Sequence, residues 1–168
     1  MIEEYVYWLV KFYIPVMVAN GTPVLVKGVF RIDSGRAFVD RRPLLGSNKT
    51  WEGLLIGVTY AFVASSLISI VFDNPFYIIG GLAGLFGLLG DLAGAFLKRR
   101  LGIKPGDPLP VVDQLDFVTF STLFYLAVGF EEFAENPGYI ISTFLLILLL
   151  HVAANNLAYY MGLKDRRW

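Results

Sequence analysis

Residues 76–100 read FYIIGGLAGLFGLLGDLAGAFLKRR. From Phe76 to Leu97 the stretch carries a single charge, Asp91, and it then stops at Lys98, Arg99 and Arg100. A helix needs about 20 apolar residues to cross the hydrocarbon core of a bilayer, and this run is long enough. Cations at its end mark the cytoplasmic side. The glycines at 80, 81, 84, 87, 90 and 94 fall at small-xxx-small spacing, which reads as close helix packing rather than phosphate binding. This one stretch makes the chain an integral membrane protein and orients one of its helices.

The remaining sequence agrees. The 168 residues are 56% hydrophobic with a mean hydropathy of +0.61, more apolar than a soluble domain of this size. Four further segments read as spans: Tyr5 to Ala19, Leu54 to Phe72, Phe117 to Phe130 and Tyr139 to Met161. The first is short and interrupted by Pro15, and the fourth is also short. Breakers separate them at Asn20-Gly21, Asn74-Pro75, Gly102 to Pro110 and Asn136-Pro137. The expected architecture is an all-α membrane protein with five transmembrane helices in a single catalytic domain, residues 1–168. Its cytoplasmic loops cover about 20–53 and 98–116. The first apolar segment opens with Glu3 and Glu4 instead of a basic region, and no A-x-A site follows, so no cleaved leader is expected.

Charge placement gives the orientation. Lys27, Arg31, Arg36, Arg41, Arg42 and Lys49 fall in the first long loop, and Lys98, Arg99, Arg100 and Lys104 in the second. Lys164, Arg166 and Arg167 fall in the tail, which leaves Lys11 as the one exception. The opposite ends hold Glu3, Glu4, Asp73, Glu131, Glu132 and Glu135. The positive-inside rule then places the N-terminus outside and the C-terminus in the cytoplasm, as an odd number of spans requires. The polar chemistry belongs on the cytoplasmic side.

Several function classes drop out. Net charge is zero, which argues against nucleic acid as a partner. There is no cysteine and a single histidine, so thiolate chemistry and a Cys–His zinc site are excluded. What remains are hydroxyls, amides, cations and carboxylates. Ser47, Asn48, Lys49 and Thr50, in GSNKTWEG, sit at the mouth of the second span. They read either as a helix cap or as an anion site built on free amides. Trp51 reads as an interfacial anchor. Asp91 lies seven residues before Lys98, about 10 Å deep, where a carboxylate is costly. It is a functional residue or half of an ion pair. Asp113 and Asp116, three apart, share a helix face. Either they begin that helix, or they hold a divalent cation together with Asp91, and oxygen-only ligands suit Mg²⁺. His151 and Asn155, four apart, either bond between helices or touch a substrate or Asp91. Carboxylates, basic loops and no protein nucleophile suggest metal-dependent chemistry on phosphates. A small transporter or lipid-binding scaffold with an ion site at Asp91 is the non-enzymatic alternative.

A resemblance narrows the choice. GDLAGAFLKRRLGIKPGD followed by DQLD resembles the signature of the phosphatidate cytidylyltransferases, with matches at Asp91, Lys98, Arg99, Lys104, Asp113 and Asp116. The bacterial members carry a Pro-Gly-His-Gly-Gly type stretch and an arginine inside the final pair. Here Pro108-Leu109-Pro110-Val111-Val112 and Gln114 stand instead. NGTPVLVKG, IDSGRAFVDRRPLLGSNKTWEG, KRRLGIKPGDPLPVVDQLDF and HVAANNLAYYMGLKDRRW resemble the archaeal CDP-archaeol synthases over nearly the whole chain. The core D-G-x-x-A-R of the CDP-alcohol phosphatidyltransferases is absent.

The resemblance implies transfer of a cytidylyl group from CTP to an isoprenoid ether lipid phosphate in the cell membrane, with Mg²⁺ and release of pyrophosphate. It implies that Ser47, Asn48 and Thr50 contact the nucleotide and Lys49 its phosphates. Asp91, Asp113 and Asp116 would hold the metal. Lys98, Arg99 and Lys104 would bind triphosphate or lipid phosphate. Asp33, Arg36 and Asp40 lie within the matching stretch in supporting or substrate-phosphate positions, as do His151 and Asn155.

Overall fold

In the computed structural model, which describes residues 2–161, all regular structure is helical. The long helices are α1 (Ile2–Gly21), α2 (Trp51–Val71), α3 (Gly80–Arg100), α4 (Val112–Val128) and α6 (Pro137–Tyr160), with a short α5 (Glu131–Glu135) before the last. One-turn 3-10 helices, Thr22–Leu25 and Pro75–Ile79, follow α1 and precede α3. Three helical stretches are long and apolar enough to cross a membrane: Trp51–Val71, Pro75–Arg100 and Pro137–Leu157. The two segments read as short in the sequence stand apart from these. α1 carries Glu3, Glu4 and Lys11 with Pro15 inside it, and α4 has 17 residues. Lys164, Arg166 and Arg167 lie outside the described residues.

α3 is the central helix and packs against α1, α2 and α4. Its glycines let neighbours close in, as their spacing suggests. A Cβ on Gly90 would lie 2.4 Å from the Asp116 backbone oxygen, and one on Gly94 would lie 2.2 Å from the Asp116 carboxylate. α4 therefore rests directly on the α3 backbone, with Asp116 pressed into the gap. At the opposite end, α1, α4 and α5 enclose an aromatic core of Trp8, Phe12, Tyr13, Tyr125 and Phe133. Its hydroxyls are satisfied: Tyr13 bonds Thr122 at 2.7 Å, and Tyr125 donates to the Phe12 carbonyl at 2.9 Å.

The first long loop has no regular helix between Val26 and Thr50, yet it is tied down. The Ile32 N–H donates to the Lys49 carbonyl at 3.0 Å, and the Trp51 N–H to the Phe30 carbonyl at 2.9 Å. Asp33 is buried and accepts three amide N–H groups, from Gly35, Leu45 and Gly46. Burial pushes its carboxyl up, but the amides of Gly46, Leu45 and Gly35 outweigh that and hold it below the usual carboxylate range. Arg100 fastens the same loop to α3: it pairs with Asp40 at 2.8 Å, donates to the Arg42 and Pro43 carbonyls, and lies over Phe38 and Phe96.

Two outcomes follow. Gly90→Ala meets backbone and forces α3 and α4 apart, at a cost of about 1–3 kcal/mol. Gly94→Ala meets only a side-chain end, so it keeps the fold and displaces Asp116. Thermal unfolding of the two variants in detergent separates these effects. Asp33 is depressed when folded, so its contribution is present above the unfolded carboxyl pKa and lost as pH falls through the folded one. Limited proteolysis of loop 31–42 should accelerate in wild type only below about pH 4, whereas Asp33→Asn should be cut faster at neutral pH, having lost about 1–3 kcal/mol of loop stability.

Candidate active site

The C-terminal end of α3, the N-terminal end of α4 and the strand-like stretch before α2 line a cavity of about 280 Å³. Asn48, Lys49, Asp91, Lys98, Arg99 and Asp113 line it, with Leu45, Ala95, Pro105 and Gly106 completing the wall. Six residues singled out in the sequence thus converge from three separate segments.

The charges are placed in pairs, with one left over. Lys49 Nζ stands 2.6 Å from Asp91 Oδ1 and 2.5 Å from Oδ2. The partner of Asp91 is therefore a loop lysine, not Lys98 from its own helix. Lys98 instead bonds Asp113 Oδ2 at 2.7 Å, and the same oxygen accepts the Leu109 N–H at 2.9 Å. Arg99 is 4% exposed. Its Nη2 donates to the Lys104 carbonyl at 3.1 Å, but buried Nε and Nη1 meet no acceptor. A buried guanidinium with free N–H groups at a cavity wall is costly unless an anion is to come.

Asp116 is not on the cavity wall. It lies behind, against Gly94, within electrostatic range of Asp91, Asp113 and Lys49, and its Oδ1 accepts the Phe117 N–H at 2.6 Å. Among the described residues no three acidic or histidine side chains gather closely enough to form a metal cage. The donors that face the cavity, Asp91 and Asp113, fit a cation that takes one or two carboxylates and fills its remaining positions with substrate phosphate and water, as Mg²⁺ does.

The other sequence candidates take different places. Thr50 caps α2, accepting the Gly53 N–H at 3.3 Å, and lines a smaller recess beside Asn48, Lys49 and Asp91. The Ser47 hydroxyl donates to the Asn48 side chain and is exposed. Trp51, in the first turn of α2, is half exposed, as an interfacial residue should be. Lys104 contributes its carbonyl to Arg99 while its side chain is exposed. Asp33 and Asp40 hold the loop. Arg36 takes part through its backbone, donating to the Asp33 carbonyl at 2.8 Å. His151 and Asn155 line a second cavity of about 250 Å³ with Gln114, Pro108, Leu109 and Pro110. It shares Asp113 and Gly106 with the first.

Four residues that contribute here were not among the site residues read from the sequence. Arg42 reaches from the first loop to the Arg99 and Arg100 carbonyls at the end of α3. Gln114 accepts the Val111 N–H at 2.6 Å, which pins a valine held at φ +70° just before α4. That is strained for a β-branched residue and sits beside Asp113. Pro105 and Gly106 form the outer wall. Only the Pro-Gly dipeptide gave a signal, and it reads as a turn.

Comparison with known proteins matches this arrangement to one family. The family described as CarS-like, CDP-archaeol synthase, matches residues 2–168. The CDP-archaeol synthase of Staphylothermus marinus is 49% identical over 165 residues, covering 98% of this chain and 94% of that protein. That of Hyperthermus butylicus is 40% identical over 158 residues, covering 92% of each. A solved structure, described as an intramembrane enzyme for archaeal membrane lipids biosynthesis, superposes with a TM-score of 0.79 at 37% identity, covering 88% of this chain and 91% of that one. With a family match over almost its entire length and relatives at this identity, the chain belongs to the CDP-archaeol synthase family.

Proposed function

We propose that this protein transfers a cytidylyl group from CTP to 2,3-bis-O-geranylgeranyl-sn-glycerol 1-phosphate, making the CDP-activated ether lipid and releasing pyrophosphate. Arg99 carries this reading: a buried guanidinium, two of whose nitrogens meet no acceptor, in the wall of a cavity that Lys49 and Lys98 also line. Three cations converging on one cavity suit a triphosphate.

The chemistry asks little of the protein beyond position and charge. A lipid phosphate oxygen attacks the α-phosphorus of CTP, the new P–O bond forms, and the bond to the β-phosphate oxygen breaks. The attacking oxygen is already anionic, so no general base is needed. Among the described residues no histidine lines this cavity, in keeping with that chemistry. Lys49, Lys98 and Arg99 bind the triphosphate and stabilise charge as it moves to pyrophosphate. Asn48 offers an amide to the nucleotide. Asp91 and Asp113 would hold Mg²⁺, with Asp116 behind them, and the cation when bound supplies charge neutralisation at the phosphates.

The membrane arrangement supports the same reading. All five long helices span in this account, with the N-terminus outside and the active site facing the cytoplasm, where CTP is made available. Lys98, Arg99 and Arg100 close α3 at the end where Lys49 approaches it, while Glu131, Glu132 and Glu135 lie in α5, which packs with Trp8 and Phe12 at the far end. The basic and acidic groups therefore lie at different ends of the bundle, which supports this orientation.

Purified protein in detergent, given α-labelled CTP, Mg²⁺ and the geranylgeranyl ether lipid phosphate, should move label into the organic phase, and phosphatidic acid in a parallel tube should not replace the ether lipid. Folded protein that transfers label to neither lipid, with Mg²⁺ or Mn²⁺, contradicts the proposal. Asp113→Asn should lower turnover by about 10²-fold or more with the fold intact. Full turnover in that variant removes Asp113 from the site.

A further inference from the structure

We propose that the groove between Phe30–Arg31 and Trp51 seats the phosphate headgroup of an anionic lipid from the surrounding leaflet. The groove has a volume of about 410 Å³ and is lined by Val29, Phe30, Arg31, Ser34, Gly35 and Trp51. It shares no lining residue with the cavity assigned to the reaction, so a lipid held here is a resident of the membrane and not the acceptor.

Backbone pairing sets the depth of the groove in the membrane. Trp51 is the first residue of α2, which is long and apolar enough to cross. The end of a spanning helix lies at the level of the lipid headgroups, where tryptophan is enriched. The Trp51 N–H donates to the Phe30 carbonyl at 2.9 Å, and Arg31 forms an antiparallel bridge with Thr50. Phe30 and Arg31 are therefore held at that same level. Glu52, one position further into α2, accepts the Val29 N–H at 3.0 Å and the Phe30 N–H at 3.1 Å. Gly28 lies so close to Thr50 that a Cβ there would collide with the threonine side chain. Residues 28–31 are thus fixed to the start of α2.

What this stretch displays is half lipid-like and half basic. Val29 is 76% and Phe30 71% exposed, Trp51 is half exposed beside them, and Val24 and Leu25 just upstream are exposed as well. Apolar side chains held outward at headgroup depth meet the upper part of the lipid chains. Among them Arg31 is exposed, and among the described residues its guanidinium makes no hydrogen bond or ion pair. Asp33 feels its charge but already accepts three amide N–H groups. Lys27 and Arg36, both exposed, add positive charge on either side. A guanidinium binds phosphate through its planar fork, and the Ser34 hydroxyl on the same wall supplies a further donor. Cations beside a spanning helix draw anionic headgroups. Apolar wall and guanidinium together fit a molecule that carries both chains and phosphate, which is a membrane lipid. A soluble phosphate uses only half of the groove.

The test reads Trp51 fluorescence in detergent-solubilised full-length protein, as the difference between wild type and Trp51→Phe, so that Trp8 and Trp168 cancel. The probes are phosphatidylglycerol, which is anionic, and phosphatidylcholine, which is neutral overall, both with brominated chains that quench tryptophan on contact. Brominated phosphatidylglycerol should quench Trp51 at about tenfold lower concentration than brominated phosphatidylcholine, the margin expected for a charged hydrogen bond. Arg31→Gln, shown folded by circular dichroism, should lose that preference, and Arg31→Lys should keep part of it. Inorganic phosphate in excess should not relieve the quenching. Equal quenching by the two lipids in wild type, or an unchanged preference in folded Arg31→Gln, overturns the proposal. Relief by inorganic phosphate makes the groove a free-phosphate site, and a dimer in detergent that Phe30→Ser dissociates gives this face to a second copy of the chain; either result also overturns it. None of these outcomes bears on the cytidylyl transfer, which uses the other cavity.

Discussion

A carboxylate in the middle of an apolar helix must be matched, and in this fold Lys49 matches Asp91. Much of the structure around the cavity can be traced to that need. Lys49 precedes α2, so the loop before it must return to α3 at the right depth. Pairing of Phe30–Ile32 with Lys49–Trp51 fixes its backbone, Asp33 gathers the amides of Leu45 and Gly46, and Arg100 binds the middle of the loop to the end of α3. None of the side chains that make these contacts lines the cavity. Together they hold a lysine side chain in place.

The second ion pair, Lys98–Asp113, does the same for α4. Lys98 stands one helical turn along α3 from Gly94, where α4 lies close against the α3 backbone. The close approach of the helices and the charge pairing therefore reinforce each other. Arg99 lines the same cavity, and among the described residues it is the one cavity cation with buried nitrogens that meet no acceptor. The site is balanced apart from one buried positive charge, and the proposed binding of phosphate would answer that imbalance.

The sequence showed the membrane class, the helices and most of the cavity because those features depend on local composition. Asp91 was legible as a charge out of place, and Lys98, Arg99 and Asp113 as neighbours with matching spacing. The pairing was not legible, because it depends on how a loop of some 25 residues returns: Lys98 was as near a partner for Asp91 in sequence as any. Thr50 and Ser47 share the polar stretch with Lys49, yet one serves as a cap and the other points to solvent. Side chains one position apart face different ways at a helix entrance, and composition does not record that. Asp33 lay in the matching stretch without a role. Only the fold shows that its carboxylate organises amides twelve and thirteen residues away. Arg42 read only as one of the loop's cations and Gln114 only as a departure from the bacterial pattern, since their contacts are with backbone carbonyls and amides, which any sequence possesses.

The central claim is that Arg99 makes the cavity an anion receptor, and CTP binding tests it most directly. Calorimetric titration of CTP with Mg²⁺ into wild type and Arg99→Gln, repeated with inorganic tripolyphosphate as competitor, gives the answer. The account predicts that tripolyphosphate displaces CTP from wild type and that Arg99→Gln binds either ligand about tenfold more weakly or worse, the loss expected for a charged hydrogen bond. Equal CTP affinity in a folded Arg99→Gln variant, or CTP binding that tripolyphosphate leaves untouched, would contradict it.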